Sequence, residues 1–207
     1  MAELEELQRE LDKARAERDE LDLELRDTRL LVKEVNGFVK YYQDLLQKLE
    51  LDALTGLPGS NKYIAFKATV EKHAATVGVI AFDVNDLKYY NDNKGHQAGD
   101  HLLQMAAESF HFVADRRVQI FRTGGDEFVG IAMGCTESDI DAIIAKWQKK
   151  LEELNSAAAG IRCNIAFGCA YGDKGYKIDD VLALADERMY AEKQRMKKCG
   201  LKIGEMR

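Results

Sequence analysis

Residues 4 to 49 carry a heptad repeat, and no other feature restricts the fold of this chain as strongly. Apolar side chains recur in a 3-4-3-4 rhythm at Leu4, Leu7, Leu11, Ala14, Leu21, Leu25, Val32, Val35, Val39, Tyr42, Leu46 and Leu49, with Arg18 and Thr28 as the polar members of the seam. A lone amphipathic helix follows a 3.6-residue period and drifts off such a pattern, whereas supercoiled helices keep the 3.5-residue period. With Leu4 at position a and Leu7 at d, the pairs Glu10–Arg15 and Glu24–Arg29 attract across a parallel dimer, while Glu17–Asp22 repels. The stripe widens after Leu30 through Leu31, Phe38 and Leu45. The expectation is a parallel two-stranded coiled coil over residues 1–51. The pattern also allows a single surface helix or an intramolecular hairpin.

At "DALTGLPGS" (Asp52 to Ser60) the helix must stop, because Gly56, Pro58 and Gly59 cannot continue it. Beyond the break, periodicity predicts a helix over 61–74, a strand over 76–84, a short helix over 87–91 and a longer one over 100–113. A hairpin follows, with strands 118–121 and 128–133 around "RTGGDE". Then come a helix over 138–154, a strand over 161–170, a last helix over 178–198 and an edge strand in "LKIGEM". Strands alternate with helices and one hairpin is antiparallel. The predicted class is therefore α/β (α+β), a mixed sheet with flanking helices in a domain over 52–207.

The 207 residues carry a net charge of −6, unevenly spread. Residues 1–51 hold 14 Asp/Glu against 9 Lys/Arg, and the remainder is near balance at 22 against 21. Duplex nucleic acid, which needs a basic face, is not an expected partner. Cys135, Cys163, Cys169 and Cys199 form no CxxC pair and are expected as free thiols in a reducing compartment. The acidic start lacks the apolar core of a signal peptide and no 18-residue apolar run exists, so a cytoplasmic location without a membrane segment is expected.

The chemistry gathers at three places. Asp83 stands where the most apolar strand ends, and Gly124-Gly125-Asp126-Glu127 forms a glycine corner with two carboxylates. If those strands are neighbours, the acids make a site for Mg²⁺, with Mn²⁺ as an alternative, since hard ions take a few carboxylates plus waters and substrate phosphates. A pair of such ions about 4 Å apart is the arrangement for nucleotidyl transfer. Asp83 alone reads better as a turn residue, and the metal reading overtakes it only together with Gly-Gly-Asp-Glu. Lys88 lies within reach of phosphates held by the metal, and Asn91, His96 and Asp100 offer an amide, an imidazole and a carboxylate. An amide with a carboxylate can read a guanine edge, because the carboxylate accepts N1–H and N2–H, donors that adenine lacks. Asp100 also suits a helix N-cap. Lys193 and Lys197 share one face of the last helix, either as phosphate ligands or as a solvated basic face.

From Asp52 to Lys198 the chain resembles the GGDEF family of diguanylate cyclases. Four blocks stand in order: "DALTGLP", "FDVNDLKYYNDNKGHQAGD", "RTGGDEF" and "ADERMYAEK". The resemblance implies a fold akin to polymerase palm and nucleotidyl cyclase domains, and condensation of two GTP into cyclic di-GMP with release of two pyrophosphates. It further implies Asp83, Asp126 and the Val84 carbonyl as Mg²⁺ ligands. Asp126 or Glu127 would help deprotonate the 3′-hydroxyl, and Lys88 would stabilise the transferring phosphoryl group. Asn91 and Asp100 would read guanine with His96 nearby, Lys193 and Lys197 would grip phosphates, and Gly124 and Gly125 would let the backbone approach the nucleotide. Each domain would hold one GTP and meet its twin, with the heptads bringing two half-sites together in a homodimer.

Departures from the family pattern stand at Pro58-Gly59-Ser60, where the family often has Pro-Asn-Arg, and at Asn85 and Leu87, which replace an Asp and a Phe. Lys197 replaces an Arg, so it can supply charge but not a two-pronged hydrogen bond. "DRRV" (Asp115 to Val118) stands where an inhibitory Arg-x-x-Asp site would fall, so no feedback inhibition through that site is expected. The rival reading is a degenerate GGDEF domain that binds GTP or a partner without turnover.

Overall fold

A computed structural model describes the backbone of residues 2–158 and 160–198, with the side chains of residues 2, 3 and 43–49 outside the description. The expected edge strand in "LKIGEM", Cys199, and the side chains of Leu45, Leu46 and Leu49 therefore lie outside the described residues. Two compact units divide the chain, residues 1–49 and 50–207.

The first unit is one continuous helix, α1 (Ala2–Leu49). Its 48 residues span roughly 70 Å at 1.5 Å per residue. It has no internal turn, which removes the hairpin alternative. Every described side chain from residue 4 to residue 42 is exposed within the single chain, including Leu4, Leu11, Leu25, Val32 and Val39 of the seam. A helix with an apolar stripe needs a covering surface to be stable in water.

The second unit follows the order α2 (Ser60–His73), β1 (Val77–Val84), α3 (Leu87–Lys94), α4 (His96–His111), β2 (Val118–Arg122), β3 (Glu127–Met133), α5 (Glu137–Ala157), β4 (Ile165–Gly172) and α6 (Ile178–Lys198). The strands pair in the order β2-β3-β1-β4, and all three pairings are antiparallel. The α/β class stands, but neighbouring strands are not parallel as a simple βαβ alternation suggests. Both helical crossovers are split: β1 and β2 run in one direction with β3 between them, and β3 and β4 run in the other with β1 between them.

Both faces of the sheet are covered, so β1 is buried along all eight residues. Ile80, Phe82 and Val84 point into a core with Leu102, Phe110, Ile140 and Trp147 of α4 and α5. Val77, Val79 and Ala81 point the other way, against Val70 of α2 and Ile178, Val181 and Ala185 of α6. The first core is aromatic: Phe82 lies 4.7 Å from Phe110 and 4.9 Å from Trp147 between ring centroids, spacings at which aromatic pairs attract. The indole N–H of Trp147 donates to Ser109 Oγ at 3.0 Å, so the ring is buried without an unpaired donor.

Several element boundaries shift from expectation, and three of the starts do so for a clear local reason. Helix α4 begins at His96, not at Asp100, because Gly95 turns the chain at φ 85° and lets the new helix start at once. Asp100 is therefore inside α4 and caps nothing. Strand β4 begins at Ile165, not Ile161. The Asn155 amide of α5 accepts from Cys163 N at 2.7 Å and donates to its carbonyl at 2.9 Å, occupying the groups a strand ladder would use. Helix α5 starts at Glu137 behind a capping box in which Thr136 and Asp139 satisfy each other's backbone N–H groups.

Helix α6 lies against β4 at Gly168, where an added Cβ would sit 2.1 Å from Met189 N and 2.3 Å from Ala185 O. Those are backbone atoms and cannot step aside. Gly168→Ala is expected to cost about 3 kcal/mol, the upper part of the overpacking range, read as a lowered urea midpoint with unchanged slope.

Candidate active site

The site is built where β1 stops. Asp83, the last residue but one of the strand, faces the α6 side of the sheet and is 5% exposed. On β3 its direct partner is Glu127, and on β4 it is Ala166. Because side chains directly opposite one another share a face, Glu127 stands beside Asp83 at the sheet end. The amide of Val84 donates to the Asp126 carbonyl at 2.9 Å, which fixes the corner against β1. Adjacent antiparallel strands put Asp83 and Asp126 on the order of 6 Å apart at Cα.

The Asp83 carboxylate is half satisfied. Its Oδ2 accepts from Lys193 Nζ at 2.5 Å, across from α6, while its Oδ1 is buried and has no partner among the described residues. An orphaned carboxylate oxygen is costly unless something binds it. That observation fits a cation at this place. Among the described residues no three His, Cys, Asp or Glu side chains group as a metal cage. Magnesium is held by one or two carboxylates with water and substrate phosphates, so the donor set of Asp83, the Val84 carbonyl and Asp126 suits it.

The glycine corner is held from below by Arg122. Its guanidinium donates to the carbonyls of Gly124 (3.2 Å) and Gly125 (2.7 Å) and to Asp52 Oδ1 (2.9 Å). With the two carbonyls turned toward Arg122, the shape of Gly124-Gly125 is set before any ligand arrives. Asp52 also accepts from the Thr55 amide and hydroxyl. Burial alone would raise its carboxyl, but the bonds from Thr55 and Arg122 outweigh burial and hold it below the usual range. Pro58 accepts from Arg122 N at 2.9 Å and Ser60 donates to the Thr123 carbonyl at 3.1 Å, so the Pro58-Gly59-Ser60 departure keeps its anchors to the corner. Neither Arg122 nor Asp52 carries a role in the sequence reading, although both sit in its quoted blocks.

After β1 the chain turns through Asn85 and Asp86. Asp86 takes φ 63°, a left-handed conformation that Asp tolerates better than most residues, and opens α3. Lys88 follows in the first turn and is exposed. Asn91 and His96 flank the Gly95 turn between α3 and α4, with Asp100 exposed one turn on. Gly99 lets the helices touch: a Cβ there would lie 2.0 Å from Asn91 Oδ1. The Asn91 amide is thus placed by a missing side chain. Lys197 is exposed one turn beyond Lys193. The Arg195 guanidinium pairs with Glu192 at 2.6 Å and holds that carboxyl low.

Two further features escaped the sequence reading. Asn164, opposite the end of β1, has a buried Nδ2 with no partner among the described residues, while its backbone carbonyl accepts from Asn85 N at 2.9 Å. A cleft of about 250 Å³ beside the corner is lined by Thr123, Glu127, Met189 and Asp186, and burial pushes the Asp186 carboxyl up. Neither residue type signals by itself a buried amide nitrogen or a partly desolvated carboxyl.

Comparison with known proteins agrees with this fold. The family described as diguanylate cyclase, GGDEF domain, matches residues 49–199. The signaling protein YkoW of Bacillus subtilis is 30% identical over 86% of the chain, and diguanylate cyclase DgcS of Shewanella oneidensis is 28% identical over 76%. The chain spans 23% of the first relative and 54% of the second. A crystal structure of the coiled coil and GGDEF domain of DgcB from Caulobacter crescentus, in complex with c-di-GMP, superposes with a TM-score of 0.68 at 22% identity, covering 84% of this chain and 94% of that one. With four ordered motifs, a split antiparallel sheet and a family match over most of its length, the chain belongs to the GGDEF family.

Proposed function

We propose that this chain is a diguanylate cyclase that joins two GTP molecules into cyclic di-GMP and releases two pyrophosphates. The observation that carries the reading is the buried Asp83 carboxylate with one open oxygen, set at the end of β1 beside the Gly-Gly-Asp-Glu corner. Asp83, Asp126 and the carbonyl of Val84 would hold Mg²⁺ or Mn²⁺. The bound ion would lower the pKa of the 3′-hydroxyl and offset charge on the transferring phosphate. The working domain is residues 52–207, with 1–51 as dimerisation helix, in a cytoplasmic setting.

Each group in the chain then has a task. Asp126 or Glu127 accepts the proton of the attacking hydroxyl; both lie in a corner that Arg122 keeps rigid. Gly124 and Gly125, which carry no side chains, allow the sugar and phosphate to approach the backbone. Asn91 and Asp100, near His96, select guanine at the α3–α4 turn. Lys88, Lys193 and Lys197 supply positive charge along the triphosphate from helices already in place. The product needs two such domains face to face. The bare heptad seam of α1 supplies the meeting by pairing with a second copy, which raises the effective concentration of one half-site for the other to about the millimolar range.

The rival reading, a GTP-binding domain without turnover, draws support from Lys197 standing in place of Arg. Both are decided by cyclic di-GMP formation from GTP and Mg²⁺. Asp126→Ala and Asp83→Asn are expected to lower kcat by about a thousandfold or more, since each removes a group required in the transition state. An inactive wild type that still binds GTP would favour the rival. Removal of α1, leaving residues 50–207, is expected to lose most of the activity at micromolar protein and regain it with rising concentration. Undiminished turnover would exclude the coiled coil as the dimeriser. Gly99→Ala is expected to raise KM for GTP about tenfold with little change in kcat, because the added methyl displaces the Asn91 amide.

A further inference from the structure

We infer that Lys193 is the resident cation of the metal site: in the empty state its ammonium neutralises Asp83, and a divalent ion must displace it, which hands the ammonium to the phosphates of the incoming nucleotide. The inference rests on the metal-binding reading of Asp83 given above and adds a competition to it.

The geometry is specific. Asp83 has a side chain 7% exposed and Lys193 one 24% exposed, and the two meet at 2.5 Å. A buried carboxylate is costly to leave without a partner, and a positive group against it offsets that cost. Among the described residues Lys193 is the cation recorded against it. Glu127, opposite on β3, adds negative charge nearby, and Asn85, near the top of α6, offers an amide engaged with Met196. Lys197 stands one turn further out and shares no bond with Asp83 among those described. The site therefore opens with its counter-charge in place on Oδ2 while Oδ1 is bare.

A dication on Oδ1 would lie a few ångströms from the ammonium, and at that spacing in a poorly solvated setting like charges repel strongly. Lys has a flexible four-carbon stem and can swing away, unlike a fixed guanidinium fork. When no nucleotide is present the displaced ammonium gains only water. With a triphosphate present it gains anionic oxygens, so departure from Asp83 is compensated. Metal and nucleotide affinities are thereby coupled through one side chain, and the coupling is reciprocal. Lys193 acts here as a positioning residue in addition to any contact it makes with phosphate.

The test is Mn²⁺ binding to the full chain without nucleotide, followed as loss of the free-ion electron paramagnetic resonance signal. Lys193→Met is expected to tighten Mn²⁺ binding about tenfold or more, because a positive competitor is removed. Lys197→Met is expected to leave it within about twofold, and Asp83→Asn to abolish the tight site. Lys193→Gln keeps a donor for Asp83 without the charge and reads the same way should the methionine variant fold poorly. A second titration, with a non-hydrolysable GTP analogue, is expected to show cooperative metal and nucleotide binding in the wild type and reduced cooperativity in Lys193→Met. Unchanged or weaker Mn²⁺ binding in both Lys193 variants overturns the inference, as does the absence of any Asp83-dependent Mn²⁺ site. The outcome is separable from the enzymatic reading. A chain that never turns over GTP can still show the competition, and an active cyclase with unaltered Mn²⁺ affinity in Lys193→Met refutes the competition alone.

Discussion

Strand β1 governs the second unit. It is buried from Val77 to Val84, hydrogen-bonded on both edges, and covered by helices on both faces. A strand so enclosed can tolerate a carboxylate only at its extremity, where helices no longer shield it fully, and Asp83 stands at that limit. The same enclosure explains why the carboxylate matters. Little water reaches the carboxylate, so the group that meets it, Lys193 in this structure, weighs heavily in the energetics of this end of the sheet.

The split topology brings the other acids to that point. Because β3 is inserted between β1 and β2, the corner that ends the β2–β3 hairpin falls beside the end of β1 and not at a remote edge. Two parallel neighbours would have placed the Gly-Gly-Asp-Glu segment one strand away. Arg122 then fastens the corner from beneath, using carbonyls that a glycine pair leaves accessible, and Asp52 holds the guanidinium in turn. The corner is stiff although it contains two glycines. Its freedom is local steric permission and not motion.

Much of this was legible in the sequence. The apolar run before Asp83, the β-type flanks of the hairpin and the 3.6-residue patterns of the helices follow from periodicity, and periodicity is what burial selects. The strand order was not legible, because alternation of strands and helices fits both adjacent and split crossovers. Nor were the starts of α4 and β4. One depended on a left-handed Gly95, the other on an asparagine side chain that binds the backbone of Cys163 in place of a strand. At the candidate site, the pattern set Asp83 at a strand end and Asp126 and Glu127 on the glycine corner, and the structure brings that strand end and that corner side by side. The partner of Asp83 was not announced, since Lys193 lies 110 positions away and reads locally as one more lysine on a basic face. Arg122 and Asp52 were hidden for the same reason: a clamp is visible only when both of its ends have coordinates.

Helix α6 rests on Gly168 by backbone contact, with Met189 N and Ala185 O filling the space a methyl would need. A helix seated in that way takes its position from main-chain atoms, which every sequence shares. Its outer residues can then diverge during evolution without shifting the axis on which they ride. Exchange of an exposed residue such as Lys197 therefore leaves the helix axis, and the architecture built on it, where they are.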